Sequence, residues 1–428
     1  MEFKTQYVKD IYQHFKAKAA DQFGFKSAME FVELILIPKL DGVVMHRPFQ
    51  KPVDGTLSIS GHHLILSSRK EGVEELWLLH HNVDAVERRL NGLLGGSLII
   101  KCKDFRIIQL DISTPDEFSK VATTIENLSS LDDPTKLYPF FYRPMFPILE
   151  DGWTAFRPET EYSQLVTSQA DEWRISYINK DFSAPILRDV RKTRDSSILF
   201  LDQENEVILL IHELRHWHKQ QRLEALVERE WLQAGYPFPI RHRKSCYSSG
   251  RTKMQAPTFL LFLDCVCQIH QQFPCSFEFS TSFLIMLFEH SYCSEFGTFL
   301  GTCEADRTRL KLSQRTVSLW SYLNRPDVLQ SFLNPMYDPN NRVIWPSVAP
   351  MSLSLWSELF LRWVVDQTPQ QKAWETITSL REKDKELRLK ATRLRRQLLD
   401  LEREAVEAGI LLPASSDPVP SEEVAANA

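Results

Sequence analysis

The chain has 428 residues, 43% of them hydrophobic and 25% charged, with a formal net charge of −5 and a pI near 6.2. That length holds two or three domains, and an acidic balance argues against a general nucleic-acid binder. Seven cysteines, an odd number without regular spacing, read as reduced thiols of a cytosolic protein. No apolar run approaches the roughly 18 residues that a membrane span needs.

Residues 1–28 lack the apolar core and small-residue cleavage site of a signal peptide. Phe3, Tyr7, Ile11 and Phe15 instead form a helical stripe with lysines beside it, the pattern of a docked amphipathic helix. From Val53 to Ile112 the pattern is strand-like. Thr56–Ser60 and His62–Ser68 flank a Ser60-Gly61 turn and predict a hairpin. Glu75–His80 is a short apolar run followed by polar Asn82-Val83-Asp84. Leu98–Cys102 and Phe105–Ile112 flank Lys103-Asp104, a second hairpin. Pro115-Asp116-Glu117 then opens an amphipathic helix carried by Phe118, Val121, Ile125 and Leu128. Short antiparallel strands closed by one helix predict a small β-barrel or sandwich module of about 100 residues.

Asp132-Asp133-Pro134 breaks that helix, and the aromatic, proline-rich stretch Tyr138–Pro144 leads into a larger domain. Its densest apolar block is Ala256–Gly301, which holds four of the seven cysteines. Phe259, Leu260, Leu263, Val266, Cys267 and His270 recur at helical steps, as do Phe283, Leu284, Met286, Leu287, Phe288 and His290 beyond Pro274. Both helices are apolar on more than one face, so both are predicted in the core. Leu353–Val365 reads as the last short helix of the domain.

After Pro369 the repeat changes. Ile377, Asp384, Ala391, Leu398 and Ala405 alternate with Leu380, Leu387, Leu394 and Leu401 at steps of three and four, a heptad register with leucine at each d position. Asp384 and two alanines at a positions make a weak seam for self-pairing and suit a partner with compensating residues. Pro413–Ala428 reads as a disordered tail.

Three constellations could carry chemistry. His212-Glu213-Leu214-Arg215-His216 has the i, i+4 histidines of a zinc-protease helix, with Glu213 as general base of a zinc-dependent hydrolase. Arg215 sets a cation beside that metal, and no third ligand stands at a suitable spacing. Cys303…Arg309 has the spacing of a cysteine phosphatase loop, in which backbone N–H groups cradle phosphate and the thiolate attacks. Glu304 and Asp306 lie inside that span and glycine does not, so phosphate is repelled and the thiol pKa raised. Cys265-Val266-Cys267, Cys275 and Cys293 sit in Leu/Phe-rich sequence, where cysteine is a small core residue. The residues alone therefore assign no catalytic group, no metal and no cofactor.

Several long stretches resemble the myotubularin-related family. They begin with Met29-Glu30-Phe31 and His46-Arg47-Pro48-Phe49, and continue through Gly61–Ser68, Lys101–Arg106, Tyr138–Phe146 and Glu172–Tyr177. The match resumes at Glu224–Trp231, covers Ala256–Gly301 and reaches Val343–Ser347. Residues 182–222 do not match and are far shorter than the family's phosphatase segment. The resemblance implies a multidomain α+β protein. Its parts would be an N-terminal extension (1–28), a PH-GRAM domain (29–130), a truncated α/β cysteine-phosphatase-like domain (131–368), a coiled coil (370–408) and a tail (409–428).

Active members of the family remove the 3-phosphate of phosphoinositides with a Cys-Ser-Asp-Gly-Trp-Asp-Arg loop, which this sequence lacks. The member most resembled is itself inactive and pairs with active relatives. The resemblance therefore implies a pseudophosphatase adaptor that forms a heterodimer with an active myotubularin-related phosphatase. Ile377, Leu380, Asp384, Leu387, Ala391, Leu394, Leu398 and Leu401 would be the contact residues, and self-association is a second use of the same seam. Arg69, Lys70, Lys101, Lys103 and Arg106 are the candidate contacts to a phosphoinositide membrane surface. The location implied is cytoplasmic, peripheral to endomembranes.

Overall fold

Alternating apolar residues give the first half of the chain its sheet. The structure, a computed structural model, describes residues 31–68, 75–91, 95–156, 219–248, 256–338, 344–363 and 368–407. Seven strands, β1 Lys39–His46, β2 Val53–Ile59, β3 His63–Ser68, β4 Leu76–Leu79, β5 Val83–Leu90, β6 Gly96–Cys102 and β7 Ile107–Ile112, form one antiparallel sheet. Their order is β4-β3-β2-β1-β7-β6-β5. The hairpin expected about Ser60-Gly61 is β2–β3, and the one about Lys103-Asp104 is β6–β7.

The sheet's core is Leu57, Leu64, Leu98, Ile100, Ile108 and Leu110, all inaccessible to water. Helix α1, Pro115–Ser129, covers it with Phe118, Val121, Ala122, Ile125 and Leu128. Thr114 is the N-cap of that helix. Its hydroxyl donates to the Glu117 carboxylate at 2.6 Å and accepts from the Glu117 N–H.

Two strands lie outside the sequence expectation. A bulge between Leu40 and Val43, with Gly42 at φ 71°, breaks the alternation of β1. Strand β5 leaves the core after Asp84 and ends in exposed Arg88-Arg89-Leu90, so no apolar run marks it.

The second half is helical. Helix α2, Gln220–Leu226, continues as a π-helical stretch, Val227–Gln233. Helices α3, Thr258–Gln272, and α4, Thr281–Tyr292, follow, then the short α5, Glu304–Leu310. The periodicity located the faces of α3 and α4 well: Phe259, Leu263, Val266, Cys267 and His270 are buried, as are Phe283, Leu284, Leu287, Phe288 and His290. The two histidines are core residues. His270 Nε2 lies 2.9 Å from the Phe279 carbonyl, and His290 Nδ1 lies 2.9 Å from the Ser294 hydroxyl. Between 131 and 363, the only β pairing among the described residues is the bridge Phe279–Leu333. The expected α/β domain is seen there from its helical side alone, and the class is mixed α+β.

The sheet and the helices meet through a polar cradle and an aromatic plug. Asp84, 3% exposed, accepts from Ser245 N–H at 2.8 Å, Ser245 Oγ at 2.8 Å and Tyr247 N–H at 3.0 Å. Phe105, at the tip of the β6–β7 turn, stacks on Phe288 of α4 with centroids 5.3 Å apart. Beside it the Asp104 carbonyl accepts from Trp363 Nε1 at 2.8 Å and Arg362 Nη2 at 3.1 Å. Phe105 holds φ 68°, a left-handed conformation rare for a bulky residue, and these contacts hold the turn in it. The chain divides into two compact units, Met1–Gln367, which contains all of these contacts, and Thr368–Ala428.

Candidate functional site

Helix α6, Thr368–Glu407, is a 40-residue helix built from glutamate, lysine, arginine, glutamine and leucine, strong helix formers. Pro369 sits in its first turn, where a missing N–H is harmless. At 1.5 Å per residue it extends about 60 Å. Ile377, Leu380, Leu387, Leu394, Leu398 and Leu401 stand on one side of it, each between 41% and 64% exposed. Asp384 interrupts the row and accepts from Arg388 Nε, one turn on, at 2.8 Å. Ala391, also exposed, leaves a shallow position in the seam. Fully burying a leucine or isoleucine contributes about 1.5–3 kcal/mol, so a partner covering six half-exposed ones gains several kcal/mol.

The cysteine phosphatase spacing has a different geometry from a phosphate loop. Cys303 is the N-cap of α5, with the Thr302 hydroxyl 3.9 Å from its sulfur. Arg309 projects outward at 73% exposure and donates to Asp306 at 2.7 Å. Glu304 and Asp306 occupy the first turn of α5, so negative charge already sits at the helix end that a phosphate would need.

The buried cation is Arg307, which pairs with both oxygens of Glu228 and donates to the Thr298 carbonyl at 3.0 Å. Trp320 Nε1 donates to Glu228 at 2.8 Å, and the Trp153 ring lies 5.3 Å from the guanidinium. Arg307 Nη1 also lies 3.4 Å from the Glu304 carboxylate, which is 40% exposed, so the cluster reaches the surface on that side. Of the cysteines expected in the core, Cys267 is buried and Cys293 half-buried, while Cys265 and Cys275 are exposed; burial pushes Cys293 up to about 12 and raises Cys102 and Cys267 well above their ordinary value.

No group of three metal-ligating side chains comes together among the described residues. His212, Glu213 and His216 lie outside them, as do Arg69 and Lys70. Of the other candidate lipid contacts, Lys101 is half-buried and pairs with Glu87 at 3.1 Å. Lys103 and Arg106, expected at a membrane surface, instead belong to the turn that docks into the helices. Lys103 is 2% exposed, and burial pulls its ammonium down to about 8. Arg106 pairs with Asp104 at 2.7 Å and lies 4.5 Å over the Trp363 ring. Neither can face a membrane in this arrangement. Asp84 and Phe105, which organise the docking, lie outside the sequence expectation; their one signal is a large aromatic residue at the tip of a polar turn.

Comparison with known proteins accords with this anatomy. Residues 39–129 match the GRAM domain of the MTMR6-9 group, and residues 220–308 match the myotubularin-like phosphatase domain. Myotubularin-related protein 9 of Mus musculus is 38% identical over 544 aligned residues, covering 88% of this chain and 99% of that protein. The Homo sapiens protein of that name gives the same identity and coverage. The phosphatidylinositol-3,5-bisphosphate 3-phosphatase MTMR2 of Gallus gallus is 38% identical over 178 residues, 41% of this chain and 30% of that protein. The 544-residue alignment is longer than the whole 428-residue chain, so the mouse relative carries more than a hundred residues with no counterpart here. With both modules matched separately and almost the full length of a 38% identical relative aligned, this chain belongs to the myotubularin-related family.

Proposed function

We propose that the chain is a catalytically inactive pseudophosphatase that pairs through α6 with an active phosphoinositide 3-phosphatase and modulates its activity or location. The carrying observation is the exposed leucine row of α6, which a partner helix would cover. Two further features support inactivity. None of the seven cysteines begins a Cys-Ser-Asp-Gly-Trp-Asp-Arg loop. The one cysteine-to-arginine pair of suitable spacing has its arginine turned to solvent and held by Asp306.

A phosphatase acting on phosphatidylinositol 3,5-bisphosphate, the substrate in the name of the Gallus gallus relative, is the class of partner this reading takes. In the same reading the protein works in the cytoplasm, peripherally on endomembranes. Its β-module meets phosphoinositide headgroups through Arg69, Lys70 and Lys101, since the docked turn consumes the other two basic residues.

Co-purification with an active relative tests pairing. The wild-type chain is retained, and the Leu387→Asp/Leu394→Asp variant is lost while its circular dichroism is kept. Retention of that variant overturns the role of α6. Release of phosphate from phosphatidylinositol 3-phosphate by the chain alone, abolished by Cys303→Ser, overturns inactivity.

A further inference from the structure

The exposed leucine row is what the proposed pairing of α6 rests on, and the flanks of the row bear on the choice of partner. In the heptad register that sets Asp384 at a and Leu387 at d, the e positions include Arg388 and Arg395 and the g positions Lys383 and Lys390. All four side chains are exposed. Among the described flank side chains, acid first appears at Glu404. Both borders of the middle of the seam are therefore cationic.

In a parallel pair each g residue faces the e residue of the next heptad on the other helix. Two copies of this chain would then set Lys383 against Arg388 and Lys390 against Arg395, on both sides. The same register brings Asp384 against Asp384 in the seam. Arg388 is already engaged within its own helix by Asp384, at 2.8 Å, which leaves the lysines and Arg395 as the main readers. Antiparallel self-pairing relieves Lys383 by placing it near Glu404, yet it sets Arg388 against Arg395 at the centre. Like charges at such positions oppose pairing, and opposite charges choose the partner and its register.

We infer that these cationic flanks select a partner helix whose e and g positions are acidic along residues 383–395, in preference to a second copy of this chain. The inference rests on the pairing proposed above and adds a partner chemistry to it. Such a helix places a carboxylate against each exposed cation while its apolar row covers the leucines.

The test uses the full-length chain and two synthetic four-heptad peptides with identical leucine/isoleucine seams. One carries glutamate at every e and g position and the other lysine. Binding is read by fluorescence anisotropy. At low salt the acidic peptide should bind about tenfold tighter or better, and the gap should close as NaCl approaches ~1 M, where screening is nearly complete. The Lys383→Glu/Lys390→Glu/Arg395→Glu variant, checked by circular dichroism, should reverse the preference.

Equal binding of the two peptides overturns the flank selection and leaves α6 pairing intact. Binding of neither peptide overturns both. A wild-type chain that sediments as a dimer at micromolar concentration, and binds the acidic peptide only at the expense of that dimer, overturns the preference against a second copy.

Discussion

Arg307 and Glu228 offer a test of how the helical module is held together. The pair is buried, with side-chain exposures of 7% and 8%, and Arg307 also donates to the Thr298 carbonyl. Arg307→Met removes the cation and leaves Glu228 charged in the interior, with the Trp320 indole N–H as its remaining donor in this cluster. Breaking one side of such a pair costs about 3–5 kcal/mol, most of it the burial of the remaining charge. Glu228→Leu should cost less, because Arg307 keeps the partly exposed Glu304 carboxylate at 3.4 Å and the Thr298 carbonyl. The double variant removes both buried charges and strands the Trp320 N–H and the Thr298 carbonyl, each costing about 1–3 kcal/mol, while Glu304, 40% exposed, turns to water.

The double variant should therefore be much less destabilised than the sum of the singles, and the difference measures the coupling. Urea unfolding followed by tryptophan fluorescence suits the question, because Trp153 and Trp320 both border the pair. A loss under about 1 kcal/mol for Arg307→Met, or strict additivity in the double variant, would refute the assignment of a buried, coupled ion pair.

Other outcomes follow from burial and charge. Burial raises the Glu224 carboxyl from 4.5 to about 8, so the fold holds it protonated while the unfolded chain ionises it. Its contribution is whole below 4.5 and is lost as pH rises to about 8; Glu224→Gln should gain on wild type by a few kcal/mol across that window, read as urea midpoints against pH. His62, His63 and His80 are pushed from 6.5 to about 4, 3 and 4, chiefly by burial. Stability from these neutral rings is present above 6.5 and lost as pH falls toward about 4, and hydrogen exchange in β3 should rise accordingly; unchanged protection at pH 4 contradicts it. Phe105→Ala empties the plug against Phe288 and should cost about 2–4 kcal/mol, with faster proteolysis between sheet and helices. Stoichiometric zinc in the purified chain, lost in His212→Ala, would replace the adaptor with a hydrolase; metal analysis should find none.

What could be read from the sequence was whatever repeats. The β2–β3 and β6–β7 hairpins, the amphipathic faces of α1, α3 and α4 and the leucine row of α6 all have a period that shows in the sequence, although β2 begins at Val53, ahead of the expected Thr56. Strand β1 was hidden because its bulge at Gly42 shifts the alternation, and β5 because its outer half serves solvent rather than core. The basic residues show a deeper limit. Lys101 and Lys103 look alike in sequence, yet one pairs on the sheet surface and the other lies inside a docked turn. Charge alone does not say which face another module will cover. Asp84 makes the same point: a lone acid after an apolar run is unremarkable until the backbone of Ser245 and Tyr247 arrives from far along the chain.

That distance bears on how the protein is made. The sheet and α1 are complete once Ser129 has left the ribosome, because every strand pair lies within residues 39–112. Asp84 and Phe105 must then wait for Ser245 and Phe288 to be synthesised. During that interval the N-terminal module stands folded with an acidic notch and an aromatic tip still open. Domains fold as units during synthesis, N-terminal first, so the finished sheet is the template on which the helices settle. A substitution at Asp84 would accordingly do its harm late, by leaving newly made helices without a mould, and would appear as poor yield of whole chain before any fault showed in the sheet itself.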